Sequence, residues 1–331
     1  MATEPIHILL VSNVYPEDDH TGTPSVGIQQ RMLAQKGAEF DVISIQTGNP
    51  IAYLKAAMKF LWMNLQRPKY DLVHAFYGLS VYIALLQKRM PVVATFLGSD
   101  LLSEGESDQR DKKIGTSAAR RADVVIVMTE EMKKASGRED AHVIPFGVSL
   151  SRLPLIDQAD ARKQLGLPLD KKLILFPWNP ARLVKRFDIV EEMMQLVKAM
   201  IPRSELVVVH DKSHATMALY FNACDVCVLA SEHEGSPVAI REALACNLPV
   251  VTVDAGDVSE LIDGVENCYL AKRNPTDMAD KVAMVLKSGL RCRGRERMQA
   301  YGIHHSADRV WQIYQQIIDR KKQSDSSDRK G

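Results

Sequence analysis

Two glutamates, Glu234 and Glu242, stand eight positions apart in the run Ser231-Glu232-His233-Glu234-Gly235-Ser236-Pro237-Val238, which continues through Glu242 to Asn247-Leu248-Pro249. The run reads as a loop entering a helix. Ser236 is the expected N-cap and Pro237 the expected first helical residue, with Asn247 and Pro249 as the stop. The N–H groups of Gly235, Ser236 and Val238 would then point out of the helix start, where the macrodipole favours an anion; Pro237 has no N–H to offer. Phosphate is the natural guest. Carboxylates accept hydrogen bonds from neutral hydroxyls, so two of them beside a phosphate suit a sugar. On spacing alone, a solvated loop residue Glu234 and a solvated helix residue Glu242 remain an open alternative.

A second group, Arg182, Lys185 and Arg186, lies in Pro180-Ala181-Arg182-Leu183-Val184-Lys185-Arg186-Phe187-Asp188, just after an apolar run ending at Phe176. Arg182 can fork onto phosphate oxygens and Lys185 can act as a point charge. Taken in isolation, the same residues describe an exposed basic helix start. The chain has no D-x-D pair, no G-x-G-x-x-G fingerprint and no G-x-x-x-x-G-K-[ST] loop, which weighs against dehydrogenases and P-loop enzymes. Neutralising a diphosphate would fall to helix N-termini and basic side chains, with no metal site expected.

These residues need elements to hold them. Strand-like runs such as Ile6–Val11, Asp71–His74, Pro91–Phe96, Asp123–Met128, Lys172–Phe176, Glu205–Val209 and Asp225–Ala230 alternate with helix-like stretches. That βαβα order predicts parallel, doubly wound sheets. The chain has 331 residues, 46% hydrophobic and 25% charged, so its length fits two domains. Residues 1–165 are read as the first and 166–305 as the second, with a linker character over 149–170, a C-terminal helix over 306–322 set back against the first domain, and a disordered tail over 323–331. A net charge of +1 excludes nucleic acid as a bulk electrostatic partner. Five scattered cysteines and no long apolar run suit a cytoplasmic protein. Cys224 and Cys227 form a C-x-x-C with no second pair, and are read as packing residues.

Phe146-Gly147-Val148, the Pro180–Asp188 run, His233–Pro237, Glu242–Val251 and Gly256-Asp257-Val258-Ser259-Glu260-Leu261-Ile262 occur in one order. Together they resemble the retaining glycosyltransferases of GT-B fold, family 4. The resemblance is carried most specifically by residues 172–285 and more weakly by Tyr15-Pro16, Gly27-Ile28, Asp71–His74 and Gly98-Ser99-Asp100 in the first half.

The resemblance implies two Rossmann-like domains with a cleft between them, and transfer of a hexosyl or related sugar from a nucleotide-diphosphate-sugar donor with retained configuration and no cofactor. Arg182 and Lys185, with Arg186 as the alternative to Lys185, would neutralise the diphosphate. Glu242 would bind the ribose, and Glu234, with Gly235, Ser236, Pro237 and Val238, the transferred sugar and its phosphate. Gly27 would open a first-domain loop toward the donor. His74, Gly98, Ser99 and Asp100 are the acceptor-side candidates. The acceptor would be a sugar, a glycan or a lipid-linked molecule, as in polysaccharide biosynthesis. The alternatives are a binding or regulatory protein on the same scaffold and, more distantly, a sugar-nucleotide epimerase.

Three departures from the family pattern stand out. Arg182 and Lys185 are three positions apart, closer than in many relatives, which leaves either Lys185 or Arg186 as the phosphate ligand. Leu97 occupies a position where many relatives carry histidine, and the connection between Val209 and the helix Met217–Ala223 is short. A further feature is the helix of residues 51–65, with Lys55 and Lys59. Its period favours packing on the first-domain sheet, with peripheral contact at the inner membrane face as the alternative.

Overall fold

The computed structural model describes residues 5–16, 24–46, 49–65, 70–102 and 109–328. The chain divides into two compact units, 1–147 with 303–331, and 148–302. The first contains β1 (Ile6–Ser12), α1 (Pro24–Gln35), β2 (Ala38–Ser44), α2 (Pro50–Leu65), β3 (Leu72–Phe76), α3 (Gly78–Ala84), β4 (Val92–Thr95), α4 (Ser99–Leu102), α5 (Gln109–Ala119), β5 (Val124–Val127), α6 (Glu130–Ser136) and β6 (His142–Val143). Its sheet is parallel, in the order β2-β1-β3-β4-β5-β6. Helices cover both faces of such a sheet, which is why its inner strands are apolar without alternation. The direction of strand addition reverses between β1 and β3, and ligands of open α/β sheets bind outside the carboxyl ends at such a point.

The second unit holds α7 (Gln158–Leu165), β7 (Lys172–Phe176), α8 (Phe187–Met200), β8 (Ser204–Val208), α9 (His214–Ala223), β9 (Val226–Leu229), α10 (Val238–Ala245), β10 (Val250–Thr252), α11 (Val258–Ile262), β11 (Tyr269–Leu270), α12 (Pro275–Ser288) and α13 (Gly294–Gln299). Its parallel sheet runs β11-β10-β9-β7-β8, reversing between β7 and β9. Successive strand residues feed opposite cores: Leu173, Leu175, Cys227 and Leu229 on one face, Ile174, Phe176, Val226 and Val228 on the other. Cys224 and Cys227 are both buried in the first of these cores.

Two stretches differ from the sequence reading. Residues 148–165 belong with the second unit, because buried Arg162 on α7 donates to the Ala223 carbonyl at 2.8 Å and pairs with Asp225 at 2.8 Å. The final helix, α14 (Ile303–Asp328), belongs with the first unit and seats Ala307, Val310, Ile313, Tyr314 and Ile317 in its core. It runs on through residues 323–328, which were expected to form a disordered tail; residues 329–331 lie outside the described set. The Gln, Ser and Asp residues of this stretch lower helix propensity only by tenths of a kcal/mol each, so an already nucleated helix propagates through about two such turns.

Candidate active site

Two loops of the second unit leave the carboxyl ends of the adjacent strands β7 and β9. In the first, the Asn179 side chain accepts from the Ala181 amide at 2.9 Å, and a 3₁₀ turn over Leu183–Lys185 follows. Arg186 then takes a left-handed conformation (φ 48°) before α8. This turn drives Lys185 inward, leaving it 4% exposed with its ammonium 5.2 Å from the centroid of Trp178. In the second loop, the Glu232 amide donates to the Val184 carbonyl at 2.9 Å, so the two loops share backbone. Lys185 Nζ also donates to Glu234 Oε1 as a buried ion pair. Burial pushes the Lys185 pKa down, opposed by attraction to Glu234 and assisted by repulsion from Arg182.

The three basic candidates therefore have different surroundings. Arg182 is exposed and, among the described residues, its guanidinium has no hydrogen-bond or ion-pair partner. Arg186 turns away to Asp188 at 2.7 Å and Glu232 at 3.6 Å. Lys185 is thus enclosed beside Glu234, whereas Arg186, after the left-handed turn, engages Asp188 and Glu232.

Helix α10 starts one residue later than the sequence suggests. Val238 is its first residue and Pro237 its N-cap, and no side chain caps it. Ser236, the expected cap, instead accepts from Nη1 of Arg241, a guanidinium with no exposure that also donates from Nη2 to Asp257 at 2.5 Å. An uncapped start leaves the first amides free for another acceptor. The loop below is held by Gly256 (φ 67°), where a Cβ would come within 2.9 Å of the Gly235 carbonyl oxygen. A side chain would clash there, and this φ is one that glycine adopts without the steric penalty other residues incur. One turn into α10, Glu242 accepts from Nε2 of His214 at 2.9 Å; His214 is the first residue of α9. Glu234 and Glu242 are thus not solvated surface residues.

His214, Arg241, Asp257 and Trp178 were not assigned roles from sequence. Arg241 had a signal: it is a cation on the apolar stripe of α10, between Ile240 and Leu244. The short β8–α9 connection was visible too, but that it delivers His214 to Glu242 depends on long-range packing.

In the first unit the candidates fare differently. His74 is 1% exposed, with Nδ1 2.5 Å from the Tyr314 hydroxyl and Nε2 2.7 Å from Thr95 Oγ1. Burial lowers its pKa to about 3. It is a neutral core histidine tying β3 to β4 and α14, which corrects its reading as an acceptor contact. Asp100, with no exposure, accepts from the amides of Leu97 (3.0 Å) and Gly98 (2.9 Å), and burial raises its pKa to about 6. It shapes the loop after β4 and does not reach the surface. Ser99 is exposed and lies 3.2 Å from the hydroxyl of Tyr77, a non-glycine residue held at φ 75°. Such strain persists only where surrounding structure enforces it. Gly27 sits inside α1 and not in a loop; a Cβ there would meet Cγ of Pro16 at 2.8 Å. Its small size accommodates Pro16 of the same unit.

Residues 14–152 match the family model for Glycosyltransferase Family 4, and residues 185–288 match that for Glycosyl transferases group 1. The chain belongs to the group 1, family 4 type glycosyltransferases. Among its relatives is a putative teichuronic acid biosynthesis glycosyltransferase, TuaC, from Bacillus subtilis. That protein is 28% identical over 66% of this chain and 62% of its own length, so the match spans about three-fifths of the relative. The structure resembles a sucrose-phosphate synthase from Thermosynechococcus elongatus, with TM-score 0.79, 21% identity and coverage of 95% and 100%. It also resembles Alr3699/HepE from Anabaena, solved in complex with UDP-glucose, with TM-score 0.61, 19% identity and coverage of 97% and 100%. The two parallel sheets, each flanked by helices, form the two Rossmann-like domains of the GT-B fold.

Proposed function

We propose that this chain transfers a sugar from a nucleotide-diphosphate-sugar donor to an acceptor hydroxyl, with retention and without a metal. The observation that carries the reading is the Lys185–Glu234 pair, which locks a basic loop against an amide-rich helix start at the strand reversal of the second sheet. The donor diphosphate lies between Arg182, Lys185 and the amides of Gly235, Ser236 and Val238. As the bond from the sugar to phosphate breaks, charge grows on the leaving oxygens, and donors already aimed there stabilise it without reorganising. Glu242, with one oxygen held by His214, offers the other to the ribose hydroxyls. Glu234 accepts from hydroxyls of the transferred sugar while its other oxygen stays with Lys185. On the front-face course implied by the family, the leaving phosphate takes the acceptor's proton, so no protein nucleophile is needed.

Ser99 is the acceptor-side contact we retain; Gly98 is buried, with its amide given to Asp100 and its carbonyl to the Leu101 and Leu102 amides. A sugar, glycan or lipid-linked hydroxyl fits Ser99 equally. We place the reaction in the cytoplasm, in keeping with five free cysteines. Among the described residues, no helix is long and apolar enough to cross a membrane. The test incubates the protein with a panel of nucleotide sugars and follows nucleoside diphosphate release with and without sugar acceptors. Release that depends on both Arg182 and Glu242 is the expected result. Donor binding without turnover across the panel would replace this reading with a binding role, and unchanged binding in Arg182→Ala and Glu242→Ala would overturn the site.

A further inference from the structure

We infer that the outer surface of α2, together with the neighbouring basic α5, docks the protein onto an anionic lipid bilayer. Helix α2 packs inward through Ala56 and Phe60. Its large apolar residues Ile51, Leu54, Met58, Leu61, Trp62 and Leu65 lie outward instead, 43% to 81% exposed. At a helical period they fall within an arc of about 100°. The arrangement inverts the usual one, in which the apolar stripe of a surface helix faces the core. Among the described residues of the first unit, the large hydrophobics that are exposed number seven, and six of them are on this one helix; the other is Leu86. Scattered exposed hydrophobics are ordinary, whereas a contiguous stripe marks an interaction surface.

The charge around the stripe selects the partner. Exposed Lys55 and Lys59 flank it along one edge, and residues 50–65 contain no carboxylate. Helix α3 packs against both α2 and α5, placing the three helices side by side. Across that layer, residues 109–121 carry Arg110, Lys112, Lys113, Arg120 and Arg121 against Asp111 alone. All of these cations except Lys112 are exposed. A second copy of this chain would bring the same cations to the interface and repel. An apolar stripe with a tryptophan, bordered by lysines, matches a helix lying in the headgroup plane. This surface goes beyond the transfer reading and does not depend on it.

The test sediments the full chain with vesicles of phosphatidylcholine containing phosphatidylglycerol, and with vesicles of phosphatidylcholine alone. Pelleting with the anionic vesicles, weakened by salt, is expected. The Leu54→Glu/Met58→Glu/Trp62→Glu variant should lose roughly tenfold or more in partitioning, and Lys55→Glu/Lys59→Glu should lose the preference for anionic lipid. Both should keep the wild-type circular dichroism and the nucleoside diphosphate release measured with a soluble acceptor, which separates failure here from failure of the transfer reading. Fluorescence quenching by brominated lipids in the otherwise unaltered chain, lost in Trp62→Phe, checks the docking without a charge-reversed helix. Absence of pelleting would overturn the inference. So would equal pelleting of the triple variant, or a dimer that this variant dissociates.

Discussion

At the carboxyl end of the second sheet, charges are drawn below the surface in opposite pairs, Lys185 with Glu234 and Arg241 with Asp257. At the carboxyl end of the first sheet the same places are held by hydroxyls, backbone amides and one buried carboxylate, Asp100, which meets only amides. The two ends thus handle desolvation differently. In the second unit each buried charge is matched by another, so the loops stay rigid while the unpaired Arg182 faces solvent. In the first, burial shifts titration instead, lowering the His74 pKa to about 3 and raising that of Asp100 to about 6. On the proposed reading, the donor's diphosphate takes the former end and a neutral acceptor hydroxyl the latter.

The comparison breaks most visibly at Lys185. Lys185→Ala strands the Glu234 carboxylate in a buried position, and is expected to cost about 3–5 kcal/mol in chemical denaturation. Turnover should fall roughly 10²–10³-fold, as when one preorganised donor to developing charge is removed. Adding Glu234→Gln should restore much of the stability and none of the turnover. If Lys185→Ala alone leaves stability unchanged, the buried pair is not what locks the loops.

Titration of the first unit is the next largest effect. His74 has a folded pKa of about 3 against an ordinary 6.5, so the unfolded chain binds more protons between those values. Its contribution to stability is present above about pH 6.5 and is lost as pH falls toward 3. Asp100 runs the other way. Its folded pKa of about 6 lies above the ordinary 3.8, so the folded chain binds more protons in that window and stability from this group is lost as pH rises from about 4 to 6. Each slope is at most about 1.4 kcal/mol per pH unit. They oppose each other between about pH 4 and 6. His74→Gln should therefore expose a fall in stability with rising pH across that window, and Asp100→Asn a rise. Thermal denaturation at a series of pH values reads both; parallel profiles in wild type and variants would show that neither group is neutralised by burial.

These differences also show what could be read from the chain. The alternation of apolar runs such as Ile6–Val11 and Lys172–Phe176 with helical stretches predicts two parallel sheets, since a strand buried on both faces must be apolar throughout. Glu234, Glu242, Arg182 and Lys185 are legible because loop-to-helix punctuation locates them beside free amides. Their neighbours are less so. Ser236 is a good N-cap by type, yet buried Arg241 outcompetes the α10 amides for its hydroxyl, a contact of side chains that local propensity does not contain. His74 at a strand end looks available, and only the packing of α14, more than two hundred residues away, shows it enclosed. The outward turn of the α2 stripe is not legible in the sequence, because periodicity reports that a helix has an apolar face and not which way that face is turned.

His214 offers a smaller test. It hydrogen-bonds Glu242, so on the proposed reading His214→Ala removes one hydrogen bond that orients this carboxylate toward the donor's ribose. Such a bond contributes about 0.5–1.5 kcal/mol, which predicts a twofold to tenfold rise in KM for the donor with kcat nearly unchanged. His214→Asn, which can still donate, should recover part of it. A fall in kcat at unchanged KM would move His214 from positioning Glu242 to a role in the transfer step.

Arg186 supplies the smallest and most discriminating effect. It is adjacent to Lys185 and of the same charge, so any account based on a general basic patch predicts similar losses from either. The geometry separates them: Lys185 is enclosed with Glu234, whereas Arg186 is partly exposed and already engaged by Asp188 and Glu232. Exposed pairs of this kind contribute about 0–1 kcal/mol. Arg186→Ala should therefore change donor affinity by less than about threefold and leave kcat intact, while shifting stability by under about 1 kcal/mol. A loss comparable to that of Lys185→Ala would mean that bulk positive charge, and not the turn that parts these two side chains, holds the diphosphate.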